Sequence, residues 1–109
     1  MGKDNLLNSI FESKNIKINN EEYTIKEMNG EEASDYESSM ITMTNGKPIY
    51  NMKDAKVKLI QLTLHQNEKQ LFEKKDIGLI NKMPYSVINK IFKVASEINK
   101  LDKDNAEKN

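Results

Sequence analysis

The residues of this chain able to do chemistry are few and scattered. His65 is the only histidine, and there is no cysteine. A metal site needs several His, Cys or carboxylate ligands at short spacing, and a lone imidazole falls short of that. The carboxylates also lack the spacing of a calcium loop. Without cysteine there are no disulfides and no thiol nucleophile. Two acidic pairs, Glu21-Glu22 and Glu31-Glu32, invite a general acid–base reading. Adjacent residues point to opposite faces of a strand and diverge by about 100° on a helix, so neither pair converges on one atom of a substrate. Ser34, Ser38, Ser39, Ser86 and Ser96 lack the glycine-flanked elbow that presents a serine nucleophile. The glycines, at 2, 30, 46 and 78, are too far apart to cradle a phosphate. The expectation is a non-catalytic protein with no cofactor and no metal, in which His65 is a capping or surface residue.

Hydrophobic periodicity marks out the elements around these residues. Leu6, Leu7, Ile10 and Phe11 have helical spacing, so residues 1–14 read as a flexible or weakly helical arm. Residues 15–28 read as a hairpin. Ile16 and Ile18 alternate with Lys17, Tyr23 and Ile25 with Thr24, and Asn19-Asn20 supplies residues that tolerate the positive φ of a tight turn. Residues 31–41 predict a helix with acids in its first turn, where the helix dipole favours them, and with Ala33, Tyr36, Met40 and Ile41 on its inward side. Residues 42–51 form a connection around Asn45-Gly46, flanked by Met43, Ile49 and Tyr50, which can pair briefly as extended strands.

Residues 52–65 predict a central helix, N-capped by Asn51 and apolar on two sides. Residues 66–70 read as a loop, after which Leu71-Phe72 returns to the core. A short helix over 76–82, capped by Asp76, turns Ile77 and Ile80 inward. Pro84 then opens the last helix, with Val87, Ile88, Ile91, Phe92, Ala95, Ile98 and Leu101 on one broad face. That helix is expected to be the most buried element, with Ile91 and Phe92 in the core. The fold class is α+β: a small antiparallel β-hairpin packed against four or so helices, mostly helical. Residues 15–101 make a single domain, and 102–109 a disordered charged tail.

At 109 residues one domain is the natural size, and its core is modest. Net charge is zero, yet the first half through Tyr50 carries five lysines and nine acids, and the remainder twelve lysines and eight acids. Opposed halves favour head-to-tail association, so a homo-oligomer is an expected state; the plainer reading is ordinary solvated surface. Every basic residue is lysine. Without arginine, whose planar fork reads phosphates and guanine edges, a nucleic-acid partner is not expected. No stretch has the length of a membrane span or of a secretory leader, so no membrane partner is expected either. Met28, Met40, Met43 and Met52 bracket the segment between hairpin and central helix. Methionine adapts to varied apolar surfaces, and it also fills gaps in cores. The segment around Met40, Ile41, Met43, Ile49 and Tyr50 is rich in large apolar residues without a clear period, which makes it the candidate partner-binding surface.

The order of parts resembles the small tail assembly chaperones of tailed bacteriophages and prophages. The resemblance runs through Ile16-x-Ile18 and Tyr23-x-Ile25, the acidic helix, Leu59-Ile60-Gln61-Leu62-Thr63-Leu64, Gln70-Leu71-Phe72, Asp76-Ile77, Met83-Pro84 and Ile98-Asn99. It departs from the family at Gln66-Asn67-Glu68-Lys69, where relatives place an aspartate and a glycine, and residues 42–51 have no counterpart. The resemblance implies binding of the long tape measure protein, recruitment of tail tube subunits, residence in the host cell cytoplasm and absence from the mature virion. It also implies a longer form made by translational frameshift; Lys108-Asn109 can be encoded A-AAA-AAC, on which ribosomes slip. Two other classes stand beside it: a structural tail-completion protein, and a small regulatory protein-binding module, though the arginine-bearing DNA-reading helix expected of many regulators is missing.

Overall fold

A computed structural model describes residues 2–50 and 54–101, leaving aside the side chains of Thr42 and Tyr50. The expected cap at Asn51, the role of Met52 and the tail at 102–109, with its Lys108-Asn109 pair, lie outside the described residues. The elements run α1 (Gly2–Leu7), β1 (Ser13–Ile18), β2 (Glu21–Lys26), α2 (Gly30–Ser39), β3 (Ile41–Thr44), β4 (Lys47–Tyr50), α3 (Ala55–Thr63), β5 (Leu64–Gln66), β6 (Lys69–Gln70), α4 (Ile77–Ile80) and α5 (Tyr85–Ile98). A 3₁₀ turn, Lys74–Asp76, leads into α4.

The class is α+β, with more strand than a single hairpin. Strands β1-β2-β5-β6 form a four-stranded antiparallel sheet, and β3-β4 a separate pair. In the first hairpin Asn19 and Asn20 have φ of 52° and 69°. This is the double positive φ of a two-residue turn whose twist suits the strands it joins. Alternation then puts Ile16 and Ile25 on the buried face. Helix α5 packs on that sheet and on α3. Its buried Ile88, Ile91 and Ala95 recur at helical spacing.

Helix α2 has a complete capping box. Asn29 Oδ1 accepts from Glu32 N at 2.8 Å, and Glu32 Oε1 accepts from Asn29 N at 3.0 Å. The end of helix α5 is tied next to this cap. Asn99 Nδ2 donates to Ala95 O at 2.9 Å while its Oδ1 accepts from Met28 N at 2.8 Å, joining the helix end to the end of β2.

Five expectations are corrected. The helix predicted to reach residue 65 stops at Thr63, whose Oγ1 bonds back to Leu59 O at 2.7 Å. Residues 64–70, expected as helix end and loop, form the β5-β6 hairpin because Leu64 and His65 pair with Ile25 and Thr24. The most buried helix among those described is α3 and not α5: every α3 residue except Lys56 is buried, because the sheet, α2 and α5 surround it. Ile91 is in the core, but Phe92 is only half-buried, with Lys56 Nζ 5.4 Å above its ring. Asp76 caps nothing in α4; its Oδ2 accepts from Glu73 N at 2.9 Å, at the preceding 3₁₀ turn.

Candidate functional site

The segment expected to meet a partner folds as the hairpin β3-β4. Its period, obscure in the sequence, is that of a strand pair around Asn45 (φ 53°) and Gly46 (φ 77°). The register sets Ile41 opposite Tyr50, Thr42 opposite Ile49, and Met43 opposite Pro48. Strand alternation therefore places Ile41 and Met43 on one face and Ile49 on the other. All three are exposed, at 40%, 64% and 49%. Met40 behaves differently. It ends α2, its N–H bonds to Glu37 O and Ser38 O, and its side chain packs against the core. The hairpin thus offers apolar side chains on two faces, with Met40 as its anchor to the body. The backbone of Tyr50 completes the pairing; its side chain lies outside the description.

Helix α2 is clamped to α3 by an ion pair between an enclosed lysine and a one-third-exposed aspartate, which sequence reading missed. Lys58, 7% exposed, places Nζ 3.0 Å from Asp35 Oδ2 and donates to Gln61 Oε1 at 3.1 Å; Lys74 adds a longer contact to Asp35 at 3.6 Å. The hydrogen bond from Lys58, with the charges of Lys58 and Lys74, holds the Asp35 carboxyl below its ordinary value against the opposing effect of desolvation. The sequence offered no signal that separates Lys58 from Lys56, since both stand among the apolar residues of α3 and only Lys58 is buried. A second clasp joins α3 to α5. Lys56 Nζ donates to Asn89 Oδ1 at 2.8 Å and to the Tyr85 hydroxyl at 3.3 Å. Hydrogen bonds from Asn89 and then Lys56 move the Tyr85 phenol below its ordinary value.

The residues first considered for chemistry have structural positions. His65 lies in β5 and not at a helix end, with Nδ1 2.8 Å from Thr63 O. It borders an open hollow of about 440 Å³ together with Lys26, Glu27 and Glu32. Both acids are engaged there: Glu27 Oε1 accepts from Glu12 N at 3.1 Å, and Glu32 belongs to the capping box. Glu21 accepts from Gln66 Nε2 at 3.3 Å. Among the described residues no three His, Cys, Asp or Glu side chains are placed to hold a metal ion, and no helix is long and apolar enough to cross a membrane.

Comparison with protein-family models, with curated proteins and with solved structures finds no match.

Proposed function

We propose that this chain is a non-catalytic tail assembly chaperone of a tailed phage or prophage, which binds the tape measure protein and helps recruit tail tube subunits. It acts in the host cytoplasm and leaves before the virion is complete. The sequence resemblance supplies the family. The observation that carries the binding role is the β3-β4 hairpin, which stands apart from the four-stranded sheet and exposes Ile41, Met43 and Ile49. A chaperone of this kind needs a reversible apolar surface. A short hairpin with apolar residues on both faces suits an amphipathic helix, which docks by burying its apolar stripe. Methionine at the centre of that surface tolerates varied partner shapes.

The test is co-expression with the tape measure protein of the same phage, followed by co-purification. The parent chain is expected to hold the tape measure protein in solution. The double variant Met43→Asp, Ile49→Asp should retain at most a tenth of the bound protein, with the parent's melting temperature. Failure of the parent to co-purify overturns the chaperone reading. Finding the chain as a stoichiometric component of purified particles selects the tail-completion protein instead.

A further inference from the structure

A strand at the edge of a sheet presents unpaired backbone N–H and C=O groups, and proteins protect such edges with charge, proline or shortness. Among the described strands, three edges carry that protection. Strand β1 has Lys14 and Lys17, and the Lys17 carbonyl accepts from Lys90 Nζ at 3.1 Å. Strand β6 is two residues long and includes Lys69. Strand β4 has Lys47 and Pro48. Strand β3 is the exception. Ile41-Thr42-Met43-Thr44 has no charge and no proline, and its isoleucine and threonines favour extended backbone. Ile41 and Met43 are both exposed. We propose that β3 pairs antiparallel with β3 of a second copy, joining two hairpins into one four-stranded sheet.

The register of the hairpin fixes which backbone groups are free. Asn45-Gly46 is a two-residue turn, so Thr44 and Lys47 flank it as a hydrogen-bonded pair, and Thr42 with Ile49 is the next such pair. The pairs between them, Met43 with Pro48 and Ile41 with Tyr50, turn their backbone groups outward. On β4 one outward position is therefore a proline, which has no N–H to offer. On β3, Ile41 and Met43 each present a donor and an acceptor.

The spacing of those two residues selects a second copy as occupant. An antiparallel pairing centred on Thr42 sets Ile41 opposite Met43 of the second copy and Met43 opposite its Ile41. Every outward donor on both strands then meets an acceptor. Any other register sets an outward group against the turn at Asn45, against α2 or against an inward-facing residue. The same register suits the side chains. Paired residues share a face, so Ile41 of each copy packs beside Met43 of the other, and no like charges oppose. Pro48 then stands on both outer edges of the new sheet, so the assembly closes at two copies. So small an interface lies below the roughly 1,200 Å² of a stable complex, and the dimer is a weak one that forms at high concentration. The pairing concerns the chain alone and does not depend on the tape measure reading.

The test is sedimentation equilibrium of the full chain from micromolar to millimolar concentration. The parent should double in mass over that range. Met43→Pro removes an outward N–H at a position that, like Pro48 opposite it, donates nothing to the hairpin. It should hold the chain at monomer mass with the parent's melting temperature. Met43→Lys should do the same, protecting β3 as lysine protects β1. The chain's lack of cysteine allows a direct reading of register. In the paired sheet the two Thr42 Cα atoms face each other at about 4.5 Å, within disulfide reach. Under mild oxidation Thr42→Cys should cross-link about ten times faster or more than Ile49→Cys, whose Cα atoms lie about 14 Å apart across the same sheet. A parent that stays monomeric throughout, a dimer that survives both Met43 substitutions, growth beyond two copies, or equal cross-linking of the two cysteine variants overturns the proposal.

Discussion

Hairpins β1-β2 and β3-β4 share a turn design. Each has two turn residues at positive φ, Asn19-Asn20 in one and Asn45-Gly46 in the other. Each also carries large apolar residues on both of its strands. In the first, Ile25 is fully buried and Ile16 nearly so. In the second, Ile41, Met43 and Ile49 are all exposed. The difference lies in what covers them. Strand β2 pairs with β5 on its other edge, and α5 lies over the sheet. Strands β3 and β4 pair only with each other. Turn chemistry and apolar residues on both strands decide that a hairpin forms; a third strand and a covering helix decide whether its apolar face becomes core. An isolated two-stranded hairpin is marginal in water, so the second one depends on its anchor at α2.

The largest effect should come from matched truncations in the two hairpins. Ile25→Ala should cost about 2–5 kcal/mol, the loss of a fully buried isoleucine. Ile49→Ala should lie within about 0.5 kcal/mol of the parent. Denaturant unfolding measures both, and equal losses would break the comparison. Amide exchange reads the same contrast without substitution: β3-β4 amides should exchange through local opening, and those of β2 only with the core.

Next in size is the clamp under α2. Lys58→Ala leaves Asp35 without its closest cation. Because Asp35 is one-third exposed, solvent screens the pair, and the loss should be about 1–3 kcal/mol, below that of a fully enclosed ion pair. The pair also fixes an acid dependence. The folded-state value of Asp35 lies below the ordinary 3.8, so its contribution is fully present above that pH and is lost as pH falls through the lowered value. Asp35→Asn should therefore be less stable than the parent at neutral pH, with the difference narrowing in acid. A constant difference across that window would show that Asp35 acts through packing alone.

The smallest effect concerns the third hairpin, β5-β6. Its turn is Asn67-Glu68, and Glu68 has φ 66°, a conformation that glycine adopts more readily. Glu68→Gly should stabilise by up to about 1 kcal/mol, the relief being partly offset by the greater freedom of glycine in the unfolded chain. A loss of stability would mean that Glu68 makes a compensating contact.

Several features were determined by the sequence alone, because each rests on residues close together in the chain. The paired asparagines define the first turn, Asn29 with Glu32 caps α2, Pro84 precedes α5, and the stripe from Ile88 to Ala95 selects the inward face of α5. The turn at Asn45-Gly46 and brief pairing of its flanks were legible too, whereas Ile41, read as the end of the preceding helix, opens β3. Tertiary structure decided the rest. From Val57 to Leu64 the chain is apolar on too many sides for periodicity to place a boundary, and no glycine, proline or asparagine marks the change from helix to strand. The free edge of β2 marks it, drawing Leu64 and His65 into the ladder once the chain has passed Thr63. The burial of Lys58 depended on Asp35 arriving from another helix. In the candidate site the same limit held. Met43 and Ile49 could be recognised as large apolar residues at a turn, but their exposure was a property of the neighbours they lack. Exposure is set by what the rest of the chain brings alongside, and that is a long-range fact absent from any local window.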